Sequence, residues 1–91
     1  MDRHEIFFTG KFEKDFEKLS KQDKTAVLEK IEILNNNSRY QTIKVKGKEN
    51  LYRTRVNDSI RLLWKFRNSQ IIVILRVGHH DIEKQRILEK I

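Results

Sequence analysis

Residues able to do chemistry concentrate in one stretch, Leu51 to Phe66, which reads LYRTRVNDSIRLLWKF. It holds Arg53, Arg55, Arg61 and Lys65 around a turn-forming cluster, Asn57, Asp58 and Ser59. Each flank alternates with the period of two that strands impose. Tyr52, Thr54 and Val56 therefore share one side with Ile60, Leu62, Trp64 and Phe66, and the other side carries Arg53, Arg55, Arg61, Leu63 and Lys65. Cations set side by side on a sheet repel one another, so an anion is the natural counterpart. A guanidinium is a planar fork of donors that matches phosphate oxygens two at a time, which points to a polyphosphate partner. The competing reading is a solvated strand face whose charges protect an edge.

A second candidate group is the histidine pair His79 and His80, which follows an apolar run and Gly78. Histidine can give or take a proton near neutral pH. A metal site is disfavoured, because neighbours in sequence seldom converge on one ion and no third ligand is evident. A loop that only caps a helix at Asp81 is the structural alternative.

The elements that must position these groups can be read from periodicity. His4 to Phe8 suits a first or edge strand, and Thr9 offers a helix cap. Phe12, Phe16 and Leu19 form one helical stripe; a second helix is expected from about Asp23 to Leu34, with Val27, Leu28, Ile31 and Leu34 inward, ending in an Asn-rich run. Ile43 and Val45 alternate with Lys44 and Lys46, and Gly47 to Asn50 reads as a loop. Ile71 to Val77 is apolar enough for a strand buried on both sides, closed by Gly78, and Ile82 to Ile91 suggests a short final helix. The expected fold is α+β: an N-terminal helical hairpin packed on a mostly antiparallel, twisted sheet of four to five strands, with a short C-terminal helix, all in one domain over residues 1–91.

Composition narrows the class. About a third of the 91 residues are Leu, Ile, Val or Phe, ample for one small core, and there is no cysteine for disulfides or thiolate metal sites. No stretch approaches a signal segment or a membrane span, so a cytoplasmic location away from membranes is expected. The net charge of +7 is unevenly placed: residues 39–76 hold ten Lys or Arg and two acids, while the flanking segments are close to neutral. One basic segment between neutral ones is the footprint of a nucleic-acid binder, or of a binder of an acidic protein. Lys44, Lys46, Lys48, Lys65 and Arg76 are the expected nucleic-acid-contacting cations beyond the three arginines.

In order along the chain, KFEKDFEKL, IKVKG, LYRTRV, IRLLWKF and ILRVGHH resemble their counterparts in the RelE/ParE superfamily of bacterial type II toxin–antitoxin toxins. The resemblance implies a RelE-like fold and a cognate antitoxin as partner. RelE-type members enter the ribosomal A site and cut messenger RNA by attack of a ribose 2′-hydroxyl on the adjacent phosphate, with no metal or small-molecule cofactor. By position, Arg53, Arg55 and Arg61 match the family's basic residues on the two hairpin strands. The family's basic pair after the last strand is here His79 and His80, and the tyrosine that usually follows is absent, so the histidines are the expected base and acid. The resemblance leaves two other functions open: a ParE-like toxin that binds DNA gyrase and cleaves nothing, and an RNA- or protein-binding module whose chemistry has lapsed.

Overall fold

The computed structural model describes residues 4–36, 42–48 and 50–79. His80 and the expected final helix, Ile82 to Ile91, lie outside them. Among the described residues, strand β1 (Glu5–Phe8) is followed by helices α1 (Gly10–Glu17) and α2 (Lys21–Asn36). Strands β2 (Thr42–Lys44), β3 (Tyr52–Arg55), β4 (Ile60–Asn68) and β5 (Ile71–His79) come after them.

Both helices start where a side chain satisfies their first free amides. Thr9 has extended backbone and its hydroxyl accepts from Phe12 N at 3.0 Å. Ser20 does the same for Asp23 N at 3.1 Å, so α2 begins two residues before the Asp23 that apolar spacing suggested. The inward stripe of α2 is Val27, Lys30, Ile31 and Leu34. Leu28, expected inward, is 56% exposed, because one residue is 100° of rotation and carries it off the stripe.

The five strands lie in the order β1-β5-β4-β3-β2, all antiparallel except the parallel pair of β1 and β5. That pair needs a long crossover, which the two helices and the three intervening strands provide. Parallel pairing stops at Phe8 with Ile74. Beyond it, α1 takes over the exposed edge of β5. Thr9 N donates to Ile74 O at 3.1 Å, Thr9 Oγ donates to Leu75 O at 2.8 Å, and Val77 N donates to an Asp15 carboxylate oxygen at 3.3 Å. Gly78 does not close β5; Arg61 and Ile60 continue the pairing to Gly78 and His79.

The main core lies between sheet and helices, where Ile60, Leu62, Trp64, Ile72, Ile74 and Val77 meet Phe12, Val27, Ile31 and Leu34. Trp64 stacks on its cross-strand partner Tyr52, with ring centroids 4.7 Å apart. Its indole N–H donates to the buried Thr54 hydroxyl at 2.7 Å, and Thr54 in turn shares a 2.6 Å hydrogen bond with Thr42. A polar chain is thereby satisfied inside the core.

A second, smaller cluster sits on the opposite sheet face: Val45, Leu51, Leu63 and Leu75. Leu63, expected among the basic residues, is on that face but fully buried. Two devices hold the covering loop. Gly47 adopts φ +80°, a conformation that favours glycine, and Asn50 uses its side-chain amide to pair with both backbone groups of Phe66.

Candidate nucleic-acid interface

The β3–β4 turn is built by Asn57. Its side-chain oxygen accepts from Ser59 N and Ile60 N, each at 2.9 Å, and its amide donates to Asp23 on α2 at 3.3 Å. The turn is therefore tied to the helical layer. On its outer side Arg55 and Arg61 are direct cross-strand partners, and Arg53 lies two residues earlier on the same face. Across β4, Arg61 pairs with Gly78, which contributes no side chain.

Like charges opposite one another destabilise a strand pair. Here each guanidinium has local compensation. Arg55 forms an ion pair with the highly exposed Asp58, and Arg61 donates to the carbonyls of Asn57 and Ile60. The arginines thus stand oriented by the turn that joins their strands.

A further cation, unforeseen as a site residue, lies behind this group. Lys30 of α2 is buried, and that burial, followed by the nearby charge of Arg55, lowers its pKa below the ordinary lysine value. The sequence carried the signal, since position 30 falls at i+3 from Val27 on the inward stripe.

The other expected contact residues are dispersed. Lys65 is exposed on the arginine face, opposite Val73, with Leu63 between it and Arg61. Lys44 pairs with Tyr52, which puts it on the helix side, and the residue of β2 on the arginine face is Ile43. Lys44, Lys46 and Lys48 line a separate cavity of about 580 Å³ at the sheet edge. Arg76 is occupied: Nε and Nη2 reach the two carboxylate oxygens of Asp15 at 2.5 and 3.0 Å, and those bonds raise its pKa against the opposing effect of burial. His79 is exposed and pairs with Ile60, so alternation sets it on the helix side of the sheet and not beside Arg61. His80 lies outside the described residues. Among those residues no three potential ligands converge on a metal site, and no helix is long and apolar enough to cross a membrane.

Two helices on a five-stranded, mostly antiparallel sheet make the RelE-like fold. The family model described as ParE toxin of type II toxin–antitoxin system, parDE, matches residues 6–83, and the chain belongs to that family. No curated protein sequence matches it. Among solved structures, the RelBE2 toxin–antitoxin complex of Mycobacterium tuberculosis aligns with TM-score 0.74 at 24% identity, covering 86% of this chain and 99% of that one. The RelB–RelE antitoxin–toxin complex of Methanococcus jannaschii gives 0.69 at 26%, covering 86% and 94%. The DinJ–YafQ toxin–antitoxin complex of Escherichia coli gives 0.71 at 19%, covering 88% and 96%.

Proposed function

We propose that this toxin is a ribosome-dependent endoribonuclease that cuts messenger RNA in the A site, in the cytoplasm, and is held inactive by a cognate antitoxin. The observation that carries the reading is the cross-strand pair Arg55 and Arg61 with Arg53 beside it on one face. In the reaction the ribose 2′-oxygen attacks the adjacent phosphorus, the bond to the 5′-oxygen breaks, and a 2′,3′-cyclic phosphate remains. A base takes the 2′-hydroxyl proton and an acid supplies one to the departing oxygen. The arginines hold the phosphoryl oxygens and stabilise the charge that builds on them. Asp58 is the anion an entering phosphate displaces from Arg55, which its exposure permits.

His80 is assigned to a proton transfer; His79, which its register sets on the helix side of the sheet and away from Arg61, is retained only as the candidate that separate substitution tests. Lys44, Lys46, Lys48 and Lys65 draw RNA toward the face, while Arg76 acts from within its pair with Asp15. Solved relatives in complex with antitoxins support the partner. The match to the ParE family model favours one second reading, a toxin that binds DNA gyrase without cleavage. Arg61→Ala separates the two. Loss of growth arrest with folding and antitoxin binding retained supports the nuclease, and full arrest by this variant overturns it.

A further inference from the structure

We infer that a second site, a cavity between the start of α1 and the bulge of β5, binds the backbone of the same single-stranded RNA a few nucleotides from the scissile phosphate. This rests on the nuclease reading and extends it. The cavity measures about 570 Å³ and is lined by Thr9, Gly10, Lys11, Lys14, Lys65, Leu75 and Arg76.

Three features of the fold build it. Leu63 pairs with Arg76 and Trp64 with Ile74, which leaves Leu75 as the extra residue of a β-bulge. Thr9 fixes the bulge by donating to the Leu75 carbonyl while it caps α1, so helix start and bulge are locked together. The buried Leu75 side chain then forms an apolar floor, and Lys11, Lys14 and Lys65 form the rim.

The rim lysines Lys11, Lys14 and Lys65 make no ion pair among the described residues, although Glu13 and Glu17 share the exposed surface of α1 with Lys11 and Lys14. Asp15, the other acid beside Lys14 in sequence, has both carboxylate oxygens taken by Arg76. Lys65 shares the sheet face of Arg61 and lies four residues along β4, roughly 13 Å at strand rise. A single-stranded backbone covers that distance in a few nucleotides. A cationic rim around a shallow apolar floor suits the phosphates of a passing strand.

The test is binding of uncleavable 2′-O-methyl RNA to the full chain at several salt concentrations, using a trinucleotide and a strand of about twelve nucleotides. Replacing Lys11, Lys14 and Lys65 together by Gln should weaken the longer strand about tenfold or more and reduce its salt slope by about 2, at about 0.7 per lost phosphate contact. Trinucleotide binding should weaken far less, because it loses only the long-range attraction of Lys65. Gln at Lys18, Lys21 and Lys24 of the helical layer removes the same three charges and should leave both strands nearly unaffected. Parent-like binding of the longer strand by the triple variant, an equal loss for both lengths, or an equal loss in the control would overturn the inference. Arg61→Ala should weaken both lengths. If it does and the triple variant matches the parent, only this inference fails; if it weakens neither, the nuclease reading fails and the path built on it falls too.

Discussion

Replacing Asp15 by Ala should be among the most damaging single changes, although Asp15 lies in a short helix far from the arginine face in sequence. Its carboxylate receives two bonds from Arg76 and one from Val77 N, and the two side chains are only 15% and 18% exposed. Removing the acid leaves a guanidinium in a largely dry setting and an edge amide without its acceptor. Breaking a fully buried pair costs about 3–5 kcal/mol, and the residual exposure here lowers the expected value to about 3 kcal/mol. A domain of this length has about 5–14 kcal/mol in total, so the midpoint of thermal unfolding should fall by roughly 12–24 °C. Trp64, the single tryptophan and almost wholly buried, reports unfolding in urea by its fluorescence. Asp15→Ala combined with Arg76→Met should recover most of the loss, because the stranded charge is gone. A cost below about 1 kcal/mol for Asp15→Ala, or a double variant as unstable as the summed singles, would refute the clamp.

Thr54→Val should cost about 1–3 kcal/mol in the same urea assay, since it keeps the shape but leaves the buried indole N–H of Trp64 without its acceptor. Lys30 should make stability depend on alkaline pH. Its folded pKa is lowered, so between that value and the unfolded 10.5 the unfolded chain holds more protons and stability rises with pH. Lys30→Met should lack this rise when urea midpoints are compared at neutral pH and about pH 10, and an identical pH dependence would contradict the assignment. His79→Gln and His80→Gln, assayed separately for cleavage, should distinguish the proton carrier: loss of about a hundredfold in rate with a flattened pH profile marks it, and parent rates in both variants remove the histidines from the mechanism.

The alternation in Tyr52 to Phe66 foretold which hairpin residues face the helices, because a strand buried on one side cannot shift by one residue without exposing its core set. Ile60, Leu62 and Trp64 lie in the main core as that pattern required. Leu63 and Lys44 show where the pattern stops. Whether a residue on the outer face is solvated depends on what folds over it, and the Val45 and Leu51 cluster over Leu63 is a tertiary fact with no local signal. The face of Lys44 follows from its register with Tyr52, which the short β2 strand could not specify alone. The pairing of Arg76 with Asp15 links residues 61 apart, and no periodicity predicts it. Lys30 is legible from its place on the inward stripe of α2, although its charge alone suggests the wet side.

The most direct test of the nuclease reading is incubation of the purified protein with a defined messenger RNA, alone and on programmed ribosomes with an empty A site. The account predicts a cut at the A-site codon that requires the ribosome, ends in a 2′,3′-cyclic phosphate and is lost with Arg61→Ala by a factor of about 100–1000. Intact messenger on the ribosome, from protein that still arrests growth, would contradict it and favour the gyrase-binding alternative.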